Sequence, residues 1–210
     1  MLNTIKSYAK INLFLNVVDK LDTGFHELNS VLSRIDLYDE IRIKDESSFS
    51  ISYNGPFGDL VGSNDHVSKL FNYLIDKNYL KQKSFAIHVV KNIPVGSGLG
   101  GGSSNVAEII KYLIRSNLLD NSSSTEIARD LGSDIEFFID EGSALISGKG
   151  NVDQRLKINS DKHFLIVFPN VQNSTKEIFN KHSNLSGEKF SYDKDTNLDR
   201  ILKGTSNELE

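Results

Sequence analysis

The chain has 210 residues, of which 38% are hydrophobic and 25% charged, the composition of an ordinary soluble globular protein with room for a sizeable core. The net charge of −4 gives no reason to expect a nucleic-acid partner, and the absence of cysteine excludes disulfides and thiolate metal sites. No apolar run is long enough for a membrane span, and the N-terminus lacks the pattern of a secretory signal. We therefore expect a cytoplasmic protein without a membrane partner; nothing here indicates an oligomeric state.

The first 55 residues alternate between apolar and polar side chains, the period of a half-buried strand. Within 5–18, Lys10 and Asn12 fall on the polar face. The apolar face holds Ile5, Ala9, Ile11, Leu13, Leu15 and Val17. Residues 25–43 and 49–55 predict further strands.

Helical periodicity enters only later in the chain. It predicts helices over 65–80 and from Val106 onward, with strands at 85–90, 143–148 and 163–169. Two further short helices are predicted to begin with capping boxes, and a last helix to cover 173–182. The boxes pair Ser123 with Glu126 and Ser133 with Glu136. Strands followed by irregularly interleaved helices favour the α+β class. We expect an N-terminal domain over 1–158 and a second domain over 159–210.

The segment NIPVGSGLGGGSSN, residues 92–105, carries five glycines and three serines directly after an apolar strand and before a helix. Glycines let backbone N–H groups approach an anion, and a helix N-terminus adds partial positive charge. The alternative is a flexible surface loop that ends in a serine cap, but this many glycines exceeds what a turn requires. The predicted ATP-binding residues are Pro94, Val95, Gly96, Ser97, Gly98, Leu99, Gly100, Gly101, Gly102, Ser103 and Ser104.

Other phosphate-binding motifs fit this segment poorly. Residues 96–101 satisfy G-x-G-x-x-G, the pattern of dinucleotide-dependent oxidoreductases, but no strand precedes the acid at Asp120. No Lys-Ser/Thr pair follows the glycines, so the Walker pattern fails, and the protein-kinase motifs are missing. A dinucleotide enzyme is thus the weaker alternative.

Three separate motifs together resemble the GHMP kinases. They are PVGSGLGGGSSN, the N-terminal AKINLFLNVVDKLDTGFHEL and, further on, LGSDIEFF. Within that family they are most similar to the branch that acts on 4-diphosphocytidyl-2-C-methyl-D-erythritol. The resemblance implies a GHMP kinase fold, with an N-terminal domain like domain 2 of ribosomal protein S5 and an α+β C-terminal domain. It also implies transfer of the γ-phosphoryl group of ATP, bound with Mg²⁺, to the substrate's 2-hydroxyl in non-mevalonate isoprenoid biosynthesis.

The resemblance implies two catalytic residues. Lys10 of AKIN matches the family's catalytic lysine, whose role would be to keep Asp134 ionised and to orient the acceptor hydroxyl. Asp134 of LGSD matches the catalytic aspartate and would be the general base. From pattern alone, Lys10 would be a solvated lysine on a sheet, and Asp134 a first-turn acid that favours the helix dipole.

Further matches imply a substrate pocket. Asn12 and His26 match positions that contact the methylerythritol and cytosine ends of the substrate, while Phe25 and Phe179 stand where aromatic rings flank the cytosine. Each could equally be an ordinary core or surface residue. The five histidines form no metal-binding motif, so no metal is expected beyond the Mg²⁺ that arrives with ATP.

The sequence departs from the family pattern in three places. Glu136 stands where a small residue or proline is common, and 63–67 is an imperfect version of the family's segment near the adenine. The chain ends at SNELE, before the position of a further glycine-rich motif near the phosphates. We therefore expect an incomplete C-terminal domain, and the alternative function is a truncated nucleotide-binding module with little kinase activity.

Overall fold

The computed structural model describes residues 4–20, 22, 26–63, 65–80, 85–158, 163–169, 198 and 201–202. The chain forms two compact units, Met1–Ala9 with Ile35–Asp140 and Lys10–Arg34 with Glu141–Glu210. Strands β1 (Thr4–Lys20) and β2 (His26–Asp45) are long enough to contribute residues to each unit. The mixture of strands and helices confirms the predicted α+β class.

The first unit carries β3 (Ser50–Asn54) and β4 (Phe85–Val90), in the order β3-β4-β2. Strand β3 is parallel to β4, and β2 is antiparallel to it, with Glu40 opposite Val90. In β4 the burial alternates as the sequence predicts, because each second side chain faces the core.

The described residues of the first unit form four helices: α1 (His66–Asp76), α2 (Gly101–Arg115), α3 (Ser124–Leu131) and α4 (Ser133–Ile139). Their apolar stripes supply most of the core of this unit. Fully buried members include Leu70, Phe71, Leu74, Ile109, Ile110, Leu113, Phe137 and Phe138. Single 3-10 turns lie at Gly58–Leu60 and Asn121–Ser123.

Both predicted capping boxes are wrong. Ser123 precedes α3 but makes no side-chain cap, because the chain is already helical there and Asp120 caps the preceding 3-10 turn through Ser122 N. Helix α4 begins after Gly132, so Ser133 lies inside it. Glu136 instead accepts two hydrogen bonds from Arg129, at 3.0 and 2.7 Å.

The second unit carries β5 (Ser143–Gly148) and β6 (Asn151–Leu156), in the order β2-β5-β6. Strand β5 is antiparallel to both neighbours. Strand β6 was not predicted, because its exposed polar residues carry little apolar pattern. The core cluster of this unit consists of Leu13, Phe14, Val31, Leu156, Leu198 and Ile201.

The strand predicted for 163–169 is wrong, since the structure shows no regular element there. Two of its apolar side chains are largely exposed, Leu165 at 89% and Val167 at 78%, whereas Ile166 and Phe168 are partly buried. The helix predicted for 173–182 lies outside the described residues. A domain boundary after residue 158 stays a prediction. No helix in the described part of the chain is long and apolar enough to cross a membrane.

Candidate active site

The glycine segment forms an irregular loop between β4 and α2. Gly96, Gly98 and Gly100 have φ values of +73°, +76° and +72°, a region that side chains with a Cβ rarely adopt. Between them, the Ser97 hydroxyl donates to Pro94 O at 2.7 Å and accepts weakly from Leu99 N at 3.4 Å. The alternating glycines therefore fix this loop in a conformation that other residues would strain.

The loop delivers the chain to a helix start that no side chain caps. Gly100 is the N-cap of α2, and the regular pattern begins when Ser104 N donates to Gly100 O at 2.8 Å. The first N–H groups of a helix have no partner within it, so those of the first turn point outward with the positive end of the helix dipole. A serine cap, the alternative considered from sequence, is not what the chain uses.

The two serines in the first turn of α2 have different surroundings. Ser103 is partly exposed in the first turn of α2, whereas Ser104 is 1% exposed. The Ser104 Oγ accepts a hydrogen bond of 2.8 Å from Ser7 Oγ on β1. The Ser104 hydroxyl therefore already has a protein partner that ties α2 to β1 within the first unit.

A buried carboxylate holds the beginning of the loop. Asp39 on β2 is fully buried, and its Oδ1 accepts from Asn92 N and Ile93 N, each at 2.8 Å. Its Oδ2 accepts from Lys91 Nζ at 2.5 Å. Burial lowers the pKa of Lys91, while Asp39 opposes that shift. Asp39 thus fixes three consecutive residues where the chain leaves β4.

Helix α2 packs directly on this pair. A Cβ built on Gly101 would lie 2.7 Å from Lys91 Nζ and 2.9 Å from Ile93 Cγ2. Only glycine allows this approach, because any side chain at 101 would displace the buried ammonium or the isoleucine. Glycine is therefore required at position 101 by its packing against Lys91 and Ile93, whether or not a ligand binds to the loop.

The start of α1 adjoins the start of α2. Asp65 caps α1, and His66, its first residue, lays its imidazole against Gly102. The family resemblance predicts only an imperfect version of the adenine segment at residues 63–67, and Asn64 within it lies outside the described residues. The structure makes this segment a neighbour of the glycine loop.

In the second unit, Lys10 is buried with only 7% of its surface exposed, so it is not the solvated lysine that the pattern alone favours. Its Nζ donates to Asn12 Oδ1 at 3.0 Å, and Asn12 Nδ2 donates to Ser30 Oγ at 2.8 Å. The Ser30 hydroxyl donates in turn to Phe14 O at 2.6 Å. These hydrogen bonds fix the orientation of the Asn12 amide and give the buried ammonium of Lys10 a polar partner.

Asp134 is the second residue of α4 in the first unit and is partly exposed. No side chain caps α4, so an acid in its first turn is favoured by the helix dipole. Lys10 belongs to the second unit and Asp134 to the first.

The predicted cytosine pocket is described only at His26, which is partly exposed at the first position of β2. Phe25 and Phe179 lie outside the described residues. The structure therefore brings together the glycine loop in one unit, and Lys10 with Asn12 in the other. His26 lies at the start of β2 in the second unit.

Known proteins resemble this chain in the segment that contains these features. The GHMP kinases N terminal domain matches residues 65–145, which run from the cap of α1 through the glycine loop and Asp134 into β5. The chain is 35% identical over 211 residues to the 4-diphosphocytidyl-2-C-methyl-D-erythritol kinase of Pelagibacter ubique, covering 98% of this chain and 74% of that protein. The kinase of the same name from Fervidobacterium nodosum is 34% identical, with 98% and 78% covered. The chain belongs to this kinase family.

Solved structures agree with this assignment. A crystal structure of 4-(cytidine 5'-diphospho)-2C-methyl-D-erythritol kinase matches with a TM-score of 0.69 and 26% identity, over 86% of this chain and 65% of that one. The mevalonate kinase of Methanococcus jannaschii matches with a TM-score of 0.51 at 17% identity, which supports the fold alone. The chain spans about three quarters of the family members named above and 59% of a Prochlorococcus marinus kinase.

Family membership favours a kinase over the dinucleotide enzyme, and GHMP kinases use ATP. Sequence reasoning had found the loop but missed Asp39 and Lys91, which shape it from below. One signal was available for Asp39. It alternates with Ile41 and Ile43 on the buried face of β2, where an unpaired acid would be costly.

Proposed function

We propose that the protein transfers the γ-phosphoryl group of ATP to the 2-hydroxyl of 4-diphosphocytidyl-2-C-methyl-D-erythritol. The products are ADP and the 2-phosphate, in the non-mevalonate route to isoprenoid precursors. The observation that carries the proposal is the uncapped start of α2 behind a loop with three positive-φ glycines. Such a surface of backbone donors suits the phosphate chain of a nucleotide.

ATP would be held mainly by backbone groups. The loop residues 94–104 would surround the phosphates, with the N–H groups of the first turn of α2 as donors. The Ser104 hydroxyl already accepts from Ser7, so Ser103 is the better candidate for a side-chain contact. Mg²⁺ would come with the triphosphate, since the described residues contain no cluster of three acidic or imidazole groups to hold it alone.

The transfer itself requires a base and charge compensation. In the proposed step, Asp134 accepts the proton of the 2-hydroxyl group. The oxygen of that hydroxyl group forms the new bond to the γ-phosphorus. The bond to the β,γ-bridging oxygen breaks, and ADP leaves with that electron pair. Lys10 would offset negative charge and orient the acceptor, and its burial and its bond to Asn12 restrict the ammonium to one position.

The acceptor would be selected by its two ends. Asn12 would contact the methylerythritol, because its amide is oriented by Lys10 and Ser30 and each amide atom keeps one further hydrogen-bonding position. His26, Phe25 and Phe179 would bind the cytosine. The second candidate is a nucleotide-binding module with little kinase activity, which would need only the glycine loop and the open start of α2. ATP turnover with and without the acceptor distinguishes the two.

The first prediction tests the base. Asp134→Asn should lower phosphoryl transfer by roughly 10²–10⁴-fold with ATP binding retained, because the amide cannot accept the proton. A coupled assay for ADP gives the rate, and calorimetry gives ATP affinity. The matched control is Asp130→Asn on α3, where the carboxylate accepts from Tyr73 at the surface. Near-parental turnover of the Asp134 variant would refute the assignment, and no turnover by the parent would favour the binding module.

A further inference from the structure

The side chain of His66 reaches the uncapped start of α2. A Cβ built on Gly102 would overlap the His66 Nδ1 atom and lie 2.9 and 3.1 Å from its Cε1 and Cγ. His66 is nevertheless exposed to solvent, so the ring covers Gly102 on one side and faces water on another. An imidazole therefore stands beside the backbone donors that the proposed phosphate site offers.

The imidazole has charged neighbours but no hydrogen-bond partner among the residues that the structure describes. Burial against α2 lowers the pKa of His66, and the positive charges of Lys69 and Lys91 lower it further. The negative charge of Asp65 raises it. Lys91 is itself paired with Asp39, and the first turn of α2 contributes only glycine and serine. Without a ligand, these surroundings therefore favour the neutral form of His66.

We infer that His66 is a positioning residue for the nucleotide, which donates a hydrogen bond to its phosphate chain and takes up a proton when the nucleotide binds. The inference rests on the proposed function, and it adds a pH-dependent contact to that site. An unpaired imidazole near exposed backbone donors gains an acceptor when a polyphosphate arrives. The negative charge then favours the imidazolium over the neutral ring.

The direction of the pH dependence follows from proton linkage. Because the anion raises the pKa of His66, the bound state holds more protons than the free state near neutral pH. Nucleotide affinity therefore increases as pH falls from 8 to 6. A rise of one unit limits the change in affinity to about tenfold, and the change between pH 8 and pH 6 is smaller because the free-state pKa lies below its ordinary value.

Calorimetry of MgATP binding at pH 7, in two buffers with different ionisation enthalpies, counts the protons taken up. We expect uptake by the parent and none by His66→Gln, which retains a hydrogen-bond donor but cannot titrate. The dissociation constant of the parent should rise roughly three- to sixfold from pH 6 to pH 8 for a shift of one unit, and that of His66→Gln should stay nearly flat. The control is His88→Gln on β4, whose imidazole pairs with Ser52 at 2.9 Å. It should behave as the parent.

A second variant checks the contact itself. Gly102→Ala puts a methyl group in the space that the ring occupies, so the imidazole must move and proton uptake should fall. Equal uptake by the parent and His66→Gln would overturn the inference, as would MgATP binding by the parent with no uptake. In both cases the proposed kinase function would stand. Absence of any nucleotide binding by the parent would overturn both.

Discussion

Two helix starts in the same unit show opposite solutions to the same problem. At α1, Asp65 Oδ1 accepts from Val67 N and Ser68 N, each at 2.9 Å, and from Tyr53 Oη at 2.5 Å. Its Oδ2 accepts from Ser68 Oγ at 2.6 Å. At α2, the corresponding residue is Gly100, which has no side chain to offer. One start is closed by a carboxylate and the other is left open.

The difference shows that a helix dipole alone does not make an anion site. Both helices present unpaired N–H groups and partial positive charge, but at α1 a built-in anion already satisfies them. At α2 the same groups stay available to a ligand. An open start loses the stabilisation that a cap provides, so its backbone must be held by other contacts. Here those contacts come from Asp39 below the loop.

The largest expected effect comes from removing that support. Asp39→Ala leaves Lys91 buried without its partner, and breaking a buried ion pair in this way costs about 3–5 kcal/mol. It also removes the acceptor for two backbone N–H groups of the loop. We expect a strongly lowered melting temperature and loss of ATP binding, measured by denaturant unfolding and calorimetry.

The control for this prediction replaces both partners. Asp39→Leu combined with Lys91→Met should recover much of the lost stability, because an apolar pair needs no compensation. It should not recover ATP binding, since the leucine cannot accept from Asn92 N and Ile93 N. If the double variant binds ATP as the parent does, the carboxylate does not shape the loop.

A smaller effect is expected at the closed helix start. Asp65→Ala should cost about 0.5–2 kcal/mol, the usual value of an N-cap, with ATP affinity changed much less than by changes at α2. Burial acts to raise the pKa of Asp65, but hydrogen bonds from Ser68, Tyr53 and the backbone outweigh it and lower the pKa. The carboxylate therefore stabilises the fold above its unfolded pKa, near 4, and this contribution disappears as pH falls through the lower folded value.

Unfolding experiments at pH 7 and pH 3 test this directly. The stability difference between the parent and Asp65→Ala should be largest at pH 7 and should shrink at pH 3. Asp65→Asn is the matched control, because it keeps a capping oxygen without the charge. A difference that is the same at both pH values would mean that the charge of Asp65 does not contribute.

Much of the fold was predictable because local patterns agree with it. The alternation in β1 and β4 and the helical spacing in α1 and α2 all predicted the observed elements. Where side chains compete for the same backbone groups, prediction failed: Ser123 resembles a cap, but Asp120 starts a 3-10 turn before it. The apolar run at 163–169 predicted a strand, but strand formation depends on a neighbouring partner that composition does not reveal.

The candidate site was likewise predictable only in part. The loop was identifiable because its glycines occur at positions where the backbone requires them, as the φ values of Gly96 and Gly98 show. Asp39 is 53 and 54 residues from the two backbone N–H groups that it holds, and His66 lies on a different helix from Gly102, so no local pattern connects either residue to the loop. Contacts of that kind become visible only when the chain is folded.

The smallest effect on stability is expected from a substitution that makes the open start of α2 resemble the closed start of α1. This substitution tests the comparison most directly. Ser103→Asp places a carboxylate in the first turn of α2, where the dipole favours it by about 0.3–1 kcal/mol. The same charge would repel a polyphosphate, so ATP affinity should fall at least roughly tenfold while the melting temperature rises slightly. Ser103→Asn, uncharged and of similar size, should change both much less. If Ser103→Asp instead binds ATP as tightly as the parent, the phosphates do not lie at the start of α2, and the open end has another purpose.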